Sequence, residues 1–301
     1  MLLVTGGTGF IGTPLVESLL RQGKQVRLLC RDPARVRKRV HLEAVRGDLL
    51  DPASLAAACK GVDQVIHLAA LISYTHGREQ LFQVNVEGTR NLLAAAQAAK
   101  VKRIVFASSV AVYGHVTSRV DEQGPLRPDT PYGESKLLAE REILASGIPA
   151  VALRIGPVYG EGSQIFASIL KMLERGFPVP RVQTNISLVH VSDVVQAFLL
   201  ALRKGEGPYN IAGDTMPFLD MAALFCKELG IPLKVRPPWL VFSAAKLMGK
   251  GHLVRTLTIN RDYDCSRAGR ELGFAPTART GSMVTQMVAS YKAHPPERRP
   301  D

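Results

Sequence analysis

Cysteine is scarce in this chain of 301 residues, and its four cysteines lie far apart, at Cys30, Cys59, Cys226 and Cys265. None belongs to a Cys-x-x-Cys pair, which argues against a disulfide framework and against a zinc site. We therefore expect a reducing, cytoplasmic setting and no metal. Long apolar runs are also missing, so we expect no stable membrane insertion. Because an apolar strand is expected at residues 2–4, we expect no leader peptide.

Aromatic and acidic residues are few as well. Aromatics make up 6% of the chain, and 26 acidic residues face 38 lysines and arginines, for a net charge of +12. A basic balance attracts anions, but no nucleic-acid-binding motif accompanies it, so we expect no nucleic-acid partner. We interpret the C-terminal part of this charge as a solvated surface. It comprises Lys246, Lys250, Arg255, Arg261, Arg267, Arg270, Arg298 and Arg299.

The most informative segment that is present is a glycine-rich turn near the start. Residues 5–12 read Thr-Gly-Gly-Thr-Gly-Phe-Ile-Gly and separate the apolar strand from a helix expected over 14–22. Glycines let backbone N–H groups approach a phosphate, and a helix N-terminus adds partial positive charge. The pattern predicts a dinucleotide site, with a ligand-free tight turn as the alternative. Its residues are Gly6, Gly9, Phe10, Ile11 and Gly12.

Strand-like and helix-like segments alternate through the first half, which predicts an α/β fold with a doubly wound parallel sheet of the Rossmann type. Strands are expected at 2–4, 26–30, 43–46, 64–68, 103–107, 150–154 and 209–211, and helices between them at 14–22, 53–59, 85–99 and 132–146. The alternation breaks after Arg154, which indicates a smaller, discontinuous C-terminal lobe that binds substrate. The expected division is 1–158 with 186–212 for the cofactor-binding core, and 159–185 with 213–301 for the lobe.

Three polar side chains suggest chemistry. Tyr132 and Lys136 are four residues apart on a helix expected over 132–146, and Thr130 can cap that helix. A lysine ammonium beside the tyrosine would stabilise its phenolate, which suits proton exchange. Ser109 follows the strand at 103–107, so its hydroxyl can hydrogen-bond a substrate oxygen. A chance surface pair remains the alternative for the tyrosine and lysine alone.

Further motifs occur in one fixed order, and with them the chain resembles the extended short-chain dehydrogenase/reductase family, the NAD-dependent epimerase/dehydratase-like proteins. The resemblance covers essentially the whole length. Besides the glycine turn and the three polar side chains it rests on Gly47-Asp48-Leu49, His67-Leu68-Ala69-Ala70, Asn85-Val86-Glu87-Gly88-Thr89, Pro157-Val158-Tyr159-Gly160 and His190-Val191-Ser192-Asp193.

The resemblance implies a role for each matching residue. Tyr132 would be the general acid/base, Lys136 its partner and a ribose ligand, and Ser109 the hydroxyl that orients the carbonyl. Further cofactor neighbours would be Asp48, Leu49, Leu68, Ala69, Ala70, Asn85, Pro157 and Val158. Asn85 would also brace the helix beside the active site, and a helix cap is an equal alternative for it. His67 is interpreted as a satisfied core histidine, and His190 as the structural start of a helix.

The end of the second strand bears on the choice of cofactor. Members that prefer NAD usually carry an acidic residue there, whereas this chain has Cys30. Arg31 and Arg35 follow and could clamp a 2′-phosphate through charge-assisted hydrogen bonds. Asp32 is interpreted as a turn or helix cap. We therefore expect NADP, with NAD as the alternative.

The resemblance also narrows the reaction. Val110 and Ala111 stand where related sugar-nucleotide dehydratases carry Asp-Glu, and residues 184–189 lack the arginine with which epimerases grip a diphosphate. The chain instead resembles the dihydroflavonol reductase and hydroxysteroid dehydrogenase branch. This implies an NAD(P)-dependent oxidoreductase that acts on the carbonyl or alcohol of a hydrophobic or ring-containing small molecule.

Other possibilities stay open. A nucleotide-sugar epimerase with a tightly held cofactor and a non-catalytic cofactor-binding protein are the alternatives, and a homodimer is compatible with the family. An apolar segment of the lobe could line the substrate pocket or form the lobe's own core. It comprises Pro237, Pro238, Trp239, Leu240, Val241, Phe242 and Met248.

Overall fold

The computed structural model describes residues 1–72, 77–249, 251, 254 and 258–293. Lys250, Arg255, Arg298 and Arg299 of the basic C-terminal group therefore lie outside the described residues. The strands are β1 (Leu2–Thr5), β2 (Val26–Cys30), β3 (Leu42–Arg46), β4 (Gln64–His67), β5 (Arg103–Ser109), β6 (Ala150–Ile155), β7 (Val158–Tyr159), β8 (Val179–Pro180), β9 (Asn185–Ser187), β10 (Val189–His190), β11 (Gly207–Ile211), β12 (Thr215–Pro217) and β13 (Val235–Arg236).

Helices follow the strands through most of the chain. They are α1 (Gly12–Arg21), α2 (Pro52–Cys59), α3 (Arg78–Phe82), α4 (Gly88–Ala98), α5 (Pro131–Leu144), α6 (Gln164–Glu174), α7 (Val191–Ala201), α8 (Phe218–Leu229), α9 (Pro238–Leu247) and α10 (Thr280–Ala293). Shorter turns of 3-10 helix occupy Pro33–Arg35 and Val110–Tyr113. No helix in the described ranges combines the length and the apolar character needed to cross a membrane.

Seven strands form one parallel sheet in the order β11-β6-β5-β4-β1-β2-β3. The order reverses between β1 and β4, whose first residues Leu2 and Gln64 are paired. In such a sheet the loops diverge at that point and leave a crevice at the carboxyl ends of the strands. The predicted doubly wound sheet is thus confirmed, and the glycine turn after β1 opens into the crevice.

Apolar side chains cover both faces of the sheet, as parallel strands require. One face packs on α1 and α7 through residues such as Leu15 and Phe198. The other face packs on α2, α4 and α5, where Leu55, Leu92 and Ile143 are fully buried. The helices that carry the predicted site are therefore held against the sheet by their buried faces.

The second half of the chain adds a separate apolar cluster, built from α6, α8 and α10 around Phe166, Phe225 and Val284. Two buried or half-buried carboxylates tie the start of α10 to the rest of the chain. Asp193 Oδ1 accepts a hydrogen bond from Thr277 N at 3.0 Å, and Asp214 Oδ2 accepts one from Thr280 Oγ1 at 3.2 Å. His190 caps α7 through its side chain, which agrees with its interpretation as a structural residue.

One expected helix differs from the prediction. A single helix is expected over 85–99. The structure instead has α3, then a wider π-helical turn at Gln83–Glu87, and then α4 from Gly88. Asn85 lies inside that turn with helical residues on both sides, so it is not a helix N-cap. Its side chain instead bonds the backbone of Leu71, an arrangement described below.

A buried ion pair links α5 to β6. Arg154 and Glu140 are 3% and 2% exposed, and Arg154 Nη2 lies 2.6 Å from Glu140 Oε1. Ser108 Oγ donates to the other carboxylate oxygen, and Arg154 Nη1 donates to Tyr113 Oη at 2.8 Å. Because a buried charge is tolerated only when it is paired and hydrogen-bonded, this network fixes α5 against the sheet.

We predict that Glu140→Leu lowers the free energy of unfolding by about 3–5 kcal/mol, because Arg154 would be left as an uncompensated buried charge. The Glu140→Leu/Arg154→Met double variant should lose clearly less than the sum of the two single variants. Urea unfolding of the wild type and the three variants measures these differences. Additive losses would contradict this account of the pair.

Candidate active site

The glycine turn has a backbone that only glycine accommodates at its first position. Gly6 has φ +71°, and a Cβ there would lie 2.6 Å from Ala69 N. A Cβ at Gly12 would overlap the carbonyl oxygen of Gly6. The turn is therefore pressed against the segment that follows β4, and it begins α1 without a side chain in the way.

Several backbone N–H groups of this turn have no acceptor among the described residues. Gly9 N donates to Gly6 O and Thr13 N donates to Gly9 O, at 3.1 and 2.9 Å. Among the described residues, none accepts from Phe10 N, Ile11 N or Gly12 N. Unpaired N–H groups at a helix N-terminus are suited to phosphate oxygens. The turn can therefore hold the pyrophosphate that the sequence predicts.

The loop after β2 carries the basic residues expected near the adenosine end. Arg31 is exposed, directly after Cys30 at the end of the strand. Asp32 caps the following turn by accepting from Ala34 N at 3.2 Å, and it pairs with Arg35 Nε at 3.1 Å. Asp32 is therefore a cap, as predicted, and it engages Arg35, which leaves Arg31 as the more available of the two arginines.

The predicted cofactor neighbours Asp48 and Leu49 lie between β3 and α2. Asp48 Oδ1 accepts from Leu50 N at 2.9 Å, which forms the tight turn after β3. Leu49 is buried, and Gly88 at the start of α4 lies directly against its side chain. The structure thus places Leu49 on the same edge of the sheet as the glycine turn.

His67, at the end of β4, is the centre of a buried hydrogen-bond chain. Its Nδ1 lies 2.7 Å from Thr5 Oγ1 and its Nε2 lies 3.0 Å from Thr89 Oγ1. Burial, with a smaller contribution from the Lys136 charge, lowers the pKa of His67 to about 3. The ring is therefore neutral, and one nitrogen donates while the other accepts.

The neighbours of His67 decide which nitrogen carries the proton. Thr89 Oγ1 donates its own proton to Asn85 O at 2.6 Å, so it accepts from His67 Nε2. His67 Nδ1 then accepts from the hydroxyl of Thr5, whose oxygen in turn accepts from Ala69 N at 3.2 Å. The chain runs in one direction from the segment after β4, through the glycine turn, to α4.

Asn85 extends this chain toward α5. Its Oδ1 accepts from Leu71 N at 2.7 Å, and its Nδ2 donates to Leu71 O and to Ser135 Oγ, at 3.1 and 3.0 Å. Ser135 Oγ donates to Tyr132 O at 2.8 Å. Of its two predicted roles, therefore, the structure gives Asn85 the bracing of α5.

The start of α5 meets the turn that follows Ser109. Thr130 Oγ1 caps the helix by accepting from Gly133 N at 3.1 Å. A Cβ at Gly133 would lie 2.5 Å from Ala111 O, so the two backbones are in direct contact. Ser109 is the last residue of β5 and its Oγ accepts from Ala111 N at 3.2 Å. The half-buried Ser109 and Tyr132 thus flank one contact.

Lys136 is buried one turn further along α5. It is 2% exposed, and its Nζ lies 4.1 Å from the centre of the Phe106 ring. Burial lowers the pKa of Lys136 to about 7, although Glu140 opposes the shift. The aromatic ring favours the ammonium form, but Glu140 is already bonded to Arg154. The lysine can therefore gain or lose a proton near neutral pH.

Other predicted residues surround the same crevice. Leu68, Ala69 and Ala70 follow β4 and are half-buried, as are Pro157 and Val158 after β6. The described residues contain no cluster of three or more histidine, cysteine or acidic side chains that could hold a metal.

Sequence reasoning missed the partners that hold these residues in place. Thr5 and Thr89 were seen only as parts of motifs, and Glu140, Ser108 and Arg154 were not singled out. A threonine that ends an apolar strand and an acidic residue four positions after Lys136 were the available signals. Neither identifies a hydrogen-bond partner that lies far away in sequence.

Comparisons with known proteins agree with this geometry. Residues 2–212 match the model of the NAD dependent epimerase/dehydratase family. The chain is 30% identical over 336 residues to 3 beta-hydroxysteroid dehydrogenase/Delta 5-->4-isomerase of Mycobacterium tuberculosis, which covers 96% of this chain and 90% of that protein. It is 33% identical over 326 residues to a dihydroflavonol 4-reductase-like protein of Synechocystis sp., and the match covers 97% of this chain and 94% of that protein.

A solved structure shares the fold over its whole length. The crystal structure of MoeE5 in complex with UDP-glucuronic acid and NAD superposes with a TM-score of 0.80 at 29% identity, covering 97% of this chain and 99% of that one. The resemblance that the sequence motifs indicate is thereby confirmed.

The burial of Lys136 predicts a pH-dependent stability. Its pKa is about 7 in the folded protein and has the ordinary lysine value of 10.5 in the unfolded chain. The unfolded chain therefore binds more protons between these two pH values, and stability rises with pH there. Lys136→Met removes this dependence. In the cofactor-free protein the variant should be the more stable at pH 6, with the difference shrinking from about pH 7 to 10.

Thermal and urea unfolding across pH measure the effect, and Lys227→Met, at an exposed position of α8, is the control. A constant difference between wild type and Lys136→Met over the whole range would contradict the burial argument.

Proposed function

We propose, since this chain belongs to the NAD-dependent epimerase/dehydratase family, that it is an oxidoreductase that transfers a hydride between a nicotinamide cofactor and a carbonyl or alcohol carbon. The substrate we propose is a hydrophobic or ring-containing small molecule, bound between the sheet and the lobe formed by residues 159–185 and 213–301. NAD-dependent relatives and the crevice at the switch point of the sheet support the cofactor part of this proposal.

The observation that carries the proposal is the contact between the start of α5 and the turn after Ser109. Gly133 lies against Ala111. Tyr132 directly precedes Gly133, and Ser109 stands two residues before Ala111, which supports a place for both side chains at one edge of the crevice. A bound nicotinamide would supply the hydride. The protein's part is to hold the substrate oxygen and to exchange its proton.

The roles divide between the three side chains. The Ser109 hydroxyl would hydrogen-bond the substrate oxygen. The Tyr132 hydroxyl would give a proton to that oxygen during reduction and take it back during oxidation. Lys136 is buried, and its pKa is about 7. In its charged form it would support the phenolate form of Tyr132. The bracing of Tyr132 O by Ser135 and Asn85 keeps the helix start in place.

The choice of an apolar substrate rests on the residues around the crevice and on the named relatives. Val110 is buried directly after Ser109, where an acid for dehydration would be needed. Ile186, Leu188 and Val189 are also buried, so the stretch before His190 offers no cation for a diphosphate. The steroid dehydrogenase and the dihydroflavonol reductase-like relative act, by their names, on ring-containing compounds.

A nucleotide-sugar enzyme is the second candidate, because a protein of the same fold holds UDP-glucuronic acid and NAD. The two candidates differ in cofactor balance. An oxidoreductase consumes reduced cofactor in proportion to product, whereas an epimerase regains its starting cofactor in every cycle.

For the cofactor we propose NADP. An arginine available at the end of β2 and the absence of an acidic residue at Cys30 support the binding of a 2′-phosphate. NAD remains the form held by the related solved structure.

Tyr132→Phe tests the proton-transfer role. We predict that turnover of NADPH with a panel of ketones and aldehydes of increasing ring size falls about 10²- to 10⁴-fold, because the general acid is lost. Cofactor affinity should stay unchanged. Tyr291→Phe, a matched change in α10 away from the crevice, should keep full activity. A Tyr132→Phe protein that turns over at the wild-type rate would overturn the assignment.

Arg31→Ala tests the cofactor preference. The loss of a charge-assisted hydrogen bond should weaken NADP binding by about 1.5–3 kcal/mol, roughly ten- to a hundredfold. NAD binding should be unaffected. The Arg21→Ala variant, an exposed control at the end of α1, should bind both cofactors as the wild type does. Calorimetric titration measures the affinities, and tighter binding of NAD than NADP by the wild type would contradict the proposal.

A further inference from the structure

Helix α9 is apolar on both of its faces, although one of them faces water. Val241 and Ala245 on the inner face are fully buried. On the outer face Trp239, Leu240 and Leu247 are 70%, 41% and 90% exposed. A helix that is hydrophobic all round is normally covered on all sides, and large apolar patches on a surface mark contact sites.

The inner face alone accounts for the role of α9 in the fold. Val241, Ala245 and Val254 form a small cluster with Met172 and Phe177. Trp239 and Leu247 are two helical turns apart and thus lie on one stripe of the outer face, with Leu240 beside them. The segment predicted to line a pocket or form the lobe's core is therefore divided, because Val241 and Phe242 pack inward while Trp239 and Leu240 are exposed.

The charge of the surrounding segment is of one sign. Residues 229–261 contain no aspartate or glutamate and six lysines or arginines, namely Lys234, Arg236, Lys246, Lys250, Arg255 and Arg261. Lys234, Arg236 and Lys246 are exposed, directly before α9 and on its outer face. Exposed apolar side chains whose charged neighbours are all cations are typical of a helix that lies on an anionic lipid surface.

We infer that the outer face of α9 docks on the surface of an anionic phospholipid bilayer. Trp239, Leu240 and Leu247 enter the boundary between headgroups and acyl chains, and the exposed Lys234, Arg236 and Lys246 contact lipid phosphates. The ten residues of α9 rise only about 15 Å, half of the hydrocarbon thickness, so the helix lies in the plane of the surface. This inference replaces the interpretation of the basic region near α9 as merely solvated.

Charge selects the bilayer over a second copy of the chain. Two α9 faces in contact would bring two sets of lysines and arginines together without a carboxylate in either segment, and like charges repel. A negatively charged lipid surface complements the same face. The inference is independent of the proposed reaction, since it uses none of Ser109, Tyr132 and Lys136.

The chain provides its own probe, because Trp239 is its only tryptophan. The experiment follows tryptophan fluorescence as vesicles are added, either of phosphatidylcholine alone or with about one third phosphatidylglycerol. With the anionic vesicles we expect a blue shift, and quenching by bromine-labelled acyl chains. With phosphatidylcholine alone we expect much weaker partition.

Two variants keep the tryptophan and separate the apolar from the charged part. Leu247→Ser should weaken partition about tenfold, by loss of apolar burial. Lys234→Gln/Arg236→Gln should weaken it about thirtyfold. Val40→Ser, which changes a residue that is 78% exposed and lies beside Arg37, Lys38 and Arg39, should bind as the wild type does. Thermal unfolding shows whether each variant is folded.

Three results would overturn the inference. One is an unchanged emission spectrum with anionic vesicles at low salt. Another is vesicle binding that is unchanged in Leu247→Ser and in which brominated acyl chains do not quench the Trp239 fluorescence. Cations elsewhere on the protein would then account for the binding. The last is a dimer, seen by sedimentation without lipid, that Leu247→Ser dissolves, since a second copy would then cover the face.

Discussion

The neutral imidazole of His67 is the interaction on which the candidate site depends. It accepts from Thr5 at the glycine turn and donates to Thr89 on α4, so the two halves of the crevice are joined by one buried ring. From Thr89 the bonds continue through Asn85 and Ser135 to the backbone of Tyr132. Each hydroxyl uses its only proton in this chain. If one hydrogen bond of this chain were reversed, a buried polar group would lose its partner, which would cost about 1–3 kcal/mol of stability.

This chain makes the site rigid where the proposed chemistry requires precision. The turn that would hold phosphates and the helix that carries Tyr132 cannot move independently while it is intact. The Glu140–Arg154 pair fixes the same helix further along, four residues beyond Lys136. Lys136 is therefore held in a dry position without a carboxylate of its own, and this burial brings its charge change near neutral pH.

Much of the fold followed from sequence patterns, because apolar runs and glycine turns are local. The strand ends and the start of α5 at Thr130 were found within a few residues. The path through His67 was not found, since it depends on partners 62 and 22 positions away. The wide turn at Asn85 was missed because its contacts with the backbone of Leu71 lie 14 residues away in sequence. The apolar segment around Trp239 predicted a pocket lining or a lobe core, and its sequence alone did not show that Trp239 lies on the surface.

The tautomer of His67 is the most direct test that the two halves of the site are joined. Nitrogen NMR of ¹⁵N-labelled protein distinguishes the ring forms, and His67→Gln identifies the signal among the seven histidines. The account predicts a neutral ring protonated at Nε2 from pH 8 down to pH 5, because burial lowers its pKa to about 3. A ring that carries its proton on Nδ1, or one that becomes doubly protonated near pH 6, would contradict it.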